Sequence, residues 1–178
     1  MKYVRIPMDR VPVLIGPHGK TRKHIEEKTK VPLTINSKTG EVLIDDHEIE
    51  DPFMIFKVEN IVRAIGRGFS PEHALKLMDD EYDFFLFDIH DYVKKTPAHV
   101  HRVKARIIGT DGKTKKVLED LTGAKISIYG HTIAVIGHII DIDIAKKAID
   151  KILMGSKHAT VYRFVEKSIK NLRLHQGF

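Results

Sequence analysis

The sequence predicts an α+β protein made of two copies of one β-α-α-β-β-α unit, with a further helix at the C-terminus. Three observations support this fold class. The chain matches itself at an offset of 93 residues. Both copies alternate helix-like and strand-like hydrophobic patterns in the same order. Both also carry a glycine loop at the same place, residues 16–23 and 109–116. Each unit is expected to form a three-stranded antiparallel sheet packed on three helices.

The length and composition of the chain limit its architecture and its chemistry. With 178 residues the chain has room for two small domains. We place the first at 1–78, with a trailing helix, and the second at 79–178, with the C-terminal helix. The formal net charge of +6 suits a polyanionic partner such as nucleic acid. The chain has no cysteine, which excludes disulfides, zinc–cysteine sites and thiol catalysis.

The hydropathy pattern gives no sign of a membrane segment. No apolar run is long enough to cross a bilayer, and the first residues lack the apolar core of a signal peptide. We therefore expect a cytoplasmic protein with no membrane partner.

The internal repeat is the strongest signal in the sequence. At the 93-residue offset, residues 15–44 align with residues 108–137 without a gap, and eleven of the thirty pairs are identical. The identical pairs include both loop glycines and the lysine that follows each loop. Two copies are too few for a solenoid, so a tandem repeat of domains is expected.

Each unit is predicted to contain the same elements in the same order. A strand opens the unit, and a short apolar helix leads into the glycine loop. A second helix, a β-hairpin with period-two alternation and a longer helix follow. In the first unit the opening strand is 3–6, the second helix 20–30, the hairpin 31–44 and the long helix 51–67. In the second unit the same elements are 83–92, 113–122, 124–136 and 141–154.

Three further stretches show clear patterns. Ser70 is a natural N-cap for a short helix that extends through Met78. The apolar residues 84–87 are expected to form a buried strand at the heart of the second unit rather than a binding face. Residues 156–178 have helical periodicity and are expected to pack on the second unit.

The two glycine loops are suited to holding phosphate groups. A helix N-terminus presents backbone N–H groups without helical partners, and the helix dipole adds partial positive charge. Glycine lets the backbone of a ligand approach closely. The first turns also carry cations, which are unfavourable at a helix N-terminus, so a polyanionic ligand best explains them. These cations are Lys20, Arg22 and Lys23 in the first copy and Lys113, Lys115 and Lys116 in the second.

The Gly-Lys-Thr sequence in both loops raises the alternative of a nucleotide-binding P-loop. That motif needs a glycine five residues before the glycine of Gly-Lys-Thr. Leu14 and Ile107 occupy those positions, so the spacing fails in both copies. A dinucleotide-binding fingerprint fails as well, because neither copy has three glycines in register.

The loop between two helices, followed by a hairpin and a third helix, resembles the KH domain. The family pattern Ile-Gly-x-x-Gly-Lys matches residues 15–20 and 108–113. The resemblance implies that each loop clamps about four nucleotides of a single strand, with the bases on an apolar groove between the helices and the hairpin edge. Only fifteen residues precede Gly16, so the order of elements fits two tandem type I KH domains.

The resemblance narrows to one family of KH proteins. Two such units nearly fill the chain, and the segments 109–116 and 155–162 are similar to those of the archaeal pre-rRNA processing proteins called partner of Nob. This resemblance implies single-stranded RNA binding at the 3′ end of small-subunit (16S) rRNA and recruitment of processing factors during ribosome biogenesis. It also implies two protein partners, the Nob-type endonuclease and the alpha subunit of translation initiation factor two.

The candidate RNA-binding residues are the two loops and the cations around them. Residues 94–116 hold eight lysines and arginines against one acidic residue, so we expect the second unit to bind RNA more strongly. Asp111 is the unexpected member, because its carboxylate repels phosphate, whereas His18 can donate to a phosphate when protonated. The full set is Gly16, Pro17, His18, Gly19, Lys20, Arg22, Lys23, Arg102, Lys104, Arg106, Gly109, Thr110, Asp111, Gly112, Lys113, Lys115 and Lys116.

Catalysis and metal binding are not predicted. His99 with His101, and His131 with His138, come nearest to ligand spacings, but no compact set of His, Asp and Glu accompanies them in the sequence. The acidic runs at 45–48 and 79–81 are explained as solvated loops and helix starts. We therefore expect no cofactor, no metal site and no enzymatic activity.

Two other functions remain open from the sequence. One is a general single-stranded RNA or mRNA-binding KH protein. The other is a protein-interaction adaptor with vestigial loops, whose acidic linker or C-terminal helix binds protein. Aspartate substitutions at the loop glycines distinguish an RNA binder from an adaptor, and scrambled RNA distinguishes a specific from a general binder.

Overall fold

The structure is a computed structural model that describes residues 1–177. The chain divides into two compact units, one spanning Met1–Asp80 and the other beginning at Glu81. Each unit contains a three-stranded antiparallel sheet and follows the order β-α-α-β-β-α. The predicted α+β fold class is therefore confirmed.

The first unit has its strands in the order β1-β3-β2. A 3-10 turn at Met8–Arg10 leads into the first helix, another at Pro17–Gly19 lies in the glycine loop, and a third at Leu75–Met78 follows the last helix. The elements are β1 Lys2–Arg5, α1 Val11–Ile15, α2 Lys20–Thr29, β2 Leu33–Ile35, β3 Glu41–Ile44, α3 Pro52–Gly66 and α4 Pro71–Ala74.

The second unit repeats this arrangement, with strands in the order β4-β6-β5, and adds a helix after it. None of the helices in the described part of the chain is both long and apolar enough to cross a membrane. The elements are β4 Tyr82–Asp88, α5 Pro97–Ile108, α6 Lys113–Thr122, β5 Lys125–Tyr129, β6 Thr132–His138, α7 Ile142–Leu153 and α8 His158–His175.

Local sequence explains where several helices begin and end. The Asp51 carboxylate accepts a hydrogen bond from the amide of Phe53 at 2.9 Å, and Pro52 is the first residue of α3. Ser70 caps α4 as predicted, by accepting a bond from the amide of His73. The helices that follow the glycine loops end at residues in the left-handed conformation, Lys30 after α2 and Gly123 after α6.

Equivalent apolar positions fill the cores of the two units. Leu14 in α1 and Ile107 in α5 are fully buried, as are Ile25 in α2 and Leu118 in α6. These side chains hold the helices on both sides of each glycine loop against the sheet. The residues that break the P-loop spacing, Leu14 and Ile107, therefore serve the hydrophobic core.

An arginine ties the segment before each loop to the end of the long helix. Arg10 donates to the carbonyls of Ile65 and Phe69, both at 2.8 Å. Arg106 donates to the carbonyl of Ile152 at 2.6 Å and also to that of Ser156. In both units the two carbonyls are four residues apart, yet the arginines occupy different positions relative to the loop. The two units therefore make the same connection from different sequence positions.

The apolar stretch at 84–87 lies in β4, which is an edge strand. Phe87 is buried, whereas Leu86 is 38% exposed. The prediction of a strand is confirmed, but its expected place at the heart of the unit is wrong, because β6 takes the central position. β4 is also shorter than predicted, since Ile89–Asp91 forms a 3-10 turn.

The two hairpins show that the repeat contains a gap. Ile35 pairs with Val42 in the first hairpin, and Ile128 pairs with Ile133 in the second. Because Ile35 and Ile128 are equivalent, Val42 corresponds to Ile133 and not to Val135. The gapless alignment is therefore wrong beyond Ile35 and Ile128, where the turn of the first hairpin is longer by two residues.

A second difference lies between the opening strand and the glycine loop. Ile6 and Ile89 are equivalent, because each amide donates to the hairpin turn, at Gly40 and His131 respectively. Ten residues separate Ile6 from the first loop glycine, and twenty separate Ile89 from its counterpart. The extra residues in the second unit lengthen α5 to 12 residues, against 5 in α1.

Candidate nucleic-acid interface

The two glycine loops adopt the same backbone conformation. The first glycine has φ 73° and ψ 172° at Gly16, and φ 75° and ψ 174° at Gly109. The second glycine, at Gly19 and Gly112, is left-handed in both units, with φ of 74° and 75°. The two loops therefore share one backbone conformation, although the two residues between the glycines differ in identity.

Backbone conformation explains the residue before the second glycine. His18 and Asp111 both have positive φ, at 53° and 55°. Among residues other than glycine, Asn, Asp and His are the most tolerant of this left-handed region. Asp111 thus satisfies a backbone requirement, which accounts for a carboxylate in a loop that is otherwise suited to phosphate.

The two glycines of each loop have different roles. A Cβ atom added to Gly16 would lie 2.2 Å from Oγ1 of Thr21, and one added to Gly109 would lie 2.2 Å from Oγ1 of Thr114. A Cβ at Gly19 or Gly112 meets nothing within 4 Å. The first glycine is therefore needed for packing, whereas the second leaves open space in front of the helix.

The helices that follow the loops begin with open N-termini. Neither α2 nor α6 has a side-chain cap or an acidic residue in its first turn. The amides of Lys20 and Lys113 donate to the loop carbonyls of Pro17 and Thr110. An anion in front of each helix therefore meets the positive end of the helix dipole. Four exposed lysines surround these termini, and none forms an ion pair with any residue of the described chain: Lys20, Lys23, Lys113 and Lys116.

Two of the predicted cations also have structural partners. Arg22 lies 3.5 Å from Glu26, and Lys115 lies 3.6 Å from Glu119. Each glutamate accepts a further hydrogen bond from the first strand of the following hairpin, at 2.8 and 3.2 Å respectively. These equivalent pairs join the helix after each loop to the sheet.

The three predicted cations of α5 have different surroundings, although Arg102 and Arg106, four residues apart, share one face of the helix. Arg106 is engaged by the carbonyls at the end of α7. Lys104 is half-buried and lines a surface groove, whereas Arg102 is exposed. Residues two apart on a helix point to nearly opposite sides, so Arg102 does not share the groove with Lys104. The structure thus brings only Lys104 of this set into that groove.

In the first unit, an apolar groove ends at the glycine loop. The groove encloses ≈ 330 Å³. It lies between α1 and the hairpin turn, where a flat nucleobase has access to apolar side chains. The groove is lined by Met8, Val11, Pro12, Ile15, Gly16 and Ser37.

The corresponding groove of the second unit is basic. It encloses ≈ 290 Å³ beside α5. At the 93-residue offset, His101 and Lys104 stand where the first unit has Met8 and Val11. The two units therefore share a loop conformation, but the groove beside α5 differs in its chemistry and is lined by residues that precede the second glycine loop. The second groove is lined by His90, Lys95, Pro97, Val100, His101 and Lys104.

The C-terminal helix contacts the second glycine loop, which the sequence did not predict. The Tyr162 hydroxyl donates to Oγ1 of Thr114 at 3.1 Å, and Nε2 of His158 lies 2.9 Å from the carbonyl oxygen of Arg106. The rings of His158 and Tyr162 are stacked, with centroids 6.2 Å apart. Helical periodicity indicates that α8 packs on the second unit, but it cannot indicate which residues reach the loop.

A second group that the sequence did not predict lies at the end of β4. Nδ1 of His131 is 2.9 Å from Oδ1 of Asp88, and the rings of His90 and His131 stack with centroids 4.2 Å apart. Burial raises the pKa of Asp88, but hydrogen bonds from the His90 amide and the His131 ring outweigh it and lower the pKa below its usual value. The sequence shows that Asp88 and His90 are two residues apart, but it does not show that His131 lies beside them. That proximity depends on the register between β4 and β6.

Comparison with known proteins agrees with this geometry. A family profile described as eukaryotic type KH-domain (KH-domain type I) matches residues 83–170, and a KH domain profile matches residues 2–50. The fold and the two glycine loops therefore define a tandem type I KH-domain protein.

Sequence relatives identify the family within this class. The chain is 40% identical over 173 residues to KH domain-containing protein MJ0443 of Methanocaldococcus jannaschii, covering 97% of this chain and 76% of the relative. It is 28% identical to the pre-rRNA-processing protein PNO1 of Candida glabrata, covering 90% of this chain but only 63% of that protein. The chain belongs to the PNO1/Dim2 family of KH-domain proteins.

Solved structures give the same result. Dim2p from Pyrococcus horikoshii is 46% identical and superposes with a TM-score of 0.84 over 93% of this chain and 98% of its own. A chain in the a/eIF2alpha-aDim2p-rRNA complex of that organism, also 46% identical, gives a TM-score of 0.87 over 96% of this chain and 94% of its own. The family consists of RNA-binding assembly factors and is not known for enzymatic activity, as the sequence predicted.

Proposed function

We propose that this chain is a single-stranded RNA-binding ribosome assembly factor that holds the 3′-end region of small-subunit (16S) rRNA. The observation that carries the proposal is the shared conformation of the two glycine loops, each in front of an uncapped helix N-terminus with exposed lysines. The rRNA in the Pyrococcus horikoshii complex supports RNA as the ligand. Residues 1–78 and 79–178 would act as two RNA-binding domains.

In this proposal the RNA backbone lies against the second glycine of each loop. Gly19 and Gly112 leave open space there, so a phosphate can approach the positive ends of the α2 and α6 dipoles. The exposed lysines of the first helical turn neutralise the phosphate charge and release counterions. The first glycine of each loop keeps the backbone in position.

The two grooves give the units different tasks. The apolar groove beside Gly16 is suited to packing a base against the aliphatic side chains of Met8, Val11 and Ile15. The basic groove beside α5 is suited to further phosphate contacts. We therefore retain the expectation that the second unit contributes more of the affinity.

Two protein partners and a cellular location belong to the same proposal. The Pyrococcus horikoshii complex holds a/eIF2alpha together with aDim2p and rRNA, which supports the alpha subunit of translation initiation factor two as a partner. The Nob-type endonuclease is proposed from family resemblance, as the nuclease that this chain would recruit to the rRNA. A cytoplasmic location is consistent with a role in ribosome assembly.

Aspartate substitutions at the open loop positions test this function. Gly19→Asp and Gly112→Asp place a carboxylate before each helix, while Asp tolerates the left-handed conformation. We expect each variant to bind an rRNA 3′-end oligonucleotide about tenfold more weakly, because like charges at this distance cost roughly 1–2 kcal/mol. Fluorescence anisotropy measures the affinity, and circular dichroism checks the fold.

Gly123→Asp is the matched control. Gly123 is also left-handed and open, but it lies at the opposite end of α6 from Gly112. RNA binding that survives both loop substitutions in folded protein would support the adaptor function instead. Equal affinity for 3′-end and scrambled oligonucleotides would support a general single-stranded RNA binder.

A further inference from the structure

Three metal-ligating side chains meet where β4 ends beside the turn between β5 and β6. One ligand atom from each of Asp88, His90 and His131 lies within 4.8 Å of the others. Oδ1 of Asp88 is 2.9 Å from Nδ1 of His131 and 3.6 Å from Nδ1 of His90. All three side chains remain partly accessible, so an ion can reach them from solvent.

The backbone holds these residues in place. Asp88 pairs with Thr132 in the ladder between β4 and β6, and the amide of Ile89 donates to the carbonyl of His131 at 2.8 Å. The amide of His90 donates to Oδ1 of Asp88 at 2.9 Å. The cluster is therefore built on an ordered sheet end, which reduces the ordering cost of binding an ion.

The cluster is particular to the second unit. Strand pairing makes Arg5 equivalent to Asp88, Pro7 to His90 and Gly40 to His131. The first unit forms the same sheet without any of these ligands. The fold itself therefore does not require the cluster, and a ligand offers an explanation for it.

We propose that Asp88, His90 and His131 bind a first-row transition metal ion, with Zn²⁺ as the best fit. In a tetrahedral zinc site with bonds near 2.0–2.1 Å, neighbouring ligand atoms are roughly 3.3 Å apart. The two separations from Asp88 bracket this value. The rings of His90 and His131 are stacked and nearly parallel, so one of them must rotate before both Nδ1 lone pairs face the ion. Two neutral imidazoles and one carboxylate are common zinc ligands, and a water molecule would complete the coordination. Neutral histidine can move its proton to Nε2, which leaves Nδ1 free for the metal.

The other cluster of potential ligands in the described chain is a weaker candidate. It consists of Asp45, Asp46 and His47. Asp46 already pairs with the N-terminal ammonium group, and Asp45 pairs with His47. This cluster supplies one imidazole rather than two, and it provides a control for weak surface binding.

Cobalt titration of the untagged, chelator-treated full chain tests the proposal. Co²⁺ binding is followed by visible absorption, and Zn²⁺ is then added as a competitor. We expect one tightly bound Co²⁺ per chain, displaced by Zn²⁺. His90→Ala and His131→Ala should weaken binding by about tenfold or more, whereas His47→Ala should leave it unchanged. Thermal unfolding without metal checks that each variant is folded.

Asp88→Asn is a milder second variant, because its amide oxygen can still accept the bond from the His90 amide. It should also weaken Co²⁺ binding while the fold is kept. The proposal is overturned if the wild-type chain binds no Co²⁺. It is equally overturned if the folded variants at positions 88, 90 and 131 bind as tightly as the wild type, or if only His47→Ala loses binding.

Discussion

Oγ1 of Thr114 accepts a hydrogen bond from the Tyr162 hydroxyl at 3.1 Å. Thr114 is buried beneath Gly109, so this bond joins the C-terminal helix to the residue that supports the second glycine loop. The conformation of the loop and the docking of α8 therefore share one side chain. Changes in either are expected to affect the other.

Replacing Tyr162 with Phe tests this connection. We expect the free energy of unfolding to fall by about 0.5–1.5 kcal/mol, the net value of one hydrogen bond. Denaturant unfolding measures the change. Tyr3→Phe is the control, because Tyr3 is 71% exposed and its loss should have little effect. Equal stability of Tyr162→Phe and wild type would contradict the structural role of the bond.

The two glycines of one loop should respond differently to alanine. Gly112→Ala is expected to cost roughly 1–2 kcal/mol, the penalty of the left-handed conformation. Gly109→Ala should cost more, because its Cβ also collides with Thr114. Thermal or denaturant unfolding of both variants gives the order. A smaller loss for Gly109→Ala would show that Thr114 moves aside easily.

Replacing Arg106 with Met should mainly affect stability. The guanidinium group bonds two carbonyls at the end of α7, and hydrogen bonds to charged groups contribute about 1.5–3 kcal/mol. We expect a comparable loss of unfolding free energy, with RNA affinity nearly unchanged in the folded protein. Arg102→Met is the control for stability, because Arg102 is exposed and its replacement should leave the free energy of unfolding nearly unchanged. A large loss of RNA affinity without loss of stability would assign Arg106 to the RNA interface.

Asp111→Asn should strengthen RNA binding. Asn tolerates the left-handed conformation, so the loop is kept while the repulsion of phosphate is removed. We expect an affinity gain of roughly two- to fivefold at low salt, since the charge is exposed and screened. Asp120→Asn, further along the chain in α6, controls for net charge. An equal gain in the control would indicate a general charge effect.

The lysines at the two helix N-termini should set the salt dependence of RNA binding. Each phosphate contact on a single strand contributes about −0.7 to the slope of log K against log salt. Replacing Lys113 and Lys116 with Ala should reduce the magnitude of this slope by about 1.4 if each lysine contacts one phosphate. The double variant at Lys20 and Lys23 should lose less affinity if the second unit binds more strongly. Binding isotherms at several salt concentrations measure both effects.

Much of the fold followed from local sequence. Glycine spacing, hydrophobic periodicity and helix caps predicted the order of elements, and α6 begins and ends at the predicted residues. The central place of β6 and the shift between the hairpins depend on pairing between distant residues. Sequence identity after Ile35 concealed that shift, because chance matches such as Val42 with Val135 supported a gapless alignment.

The sequence predicted the glycine loops of the candidate RNA interface but not the side-chain contacts around them. The glycine loops follow from sequence, because their conformation depends on short-range backbone geometry. The engagement of Arg106 by α7 depends on tertiary packing, and so does the contact of Tyr162 with the loop. The meeting of Asp88 with His131 required the strand register. Such long-range relationships have no signature in residue spacing.

The threonine beneath each first glycine changes how the Gly-Lys-Thr string should be interpreted. In a nucleotide-binding loop that hydroxyl faces a magnesium ion. In this protein the hydroxyls of Thr21 and Thr114 face the chain's own glycine. A pattern search for ATPases that matches only these three letters would therefore confuse a packing contact with a metal ligand. The residue five positions earlier, apolar in both copies, separates the two cases.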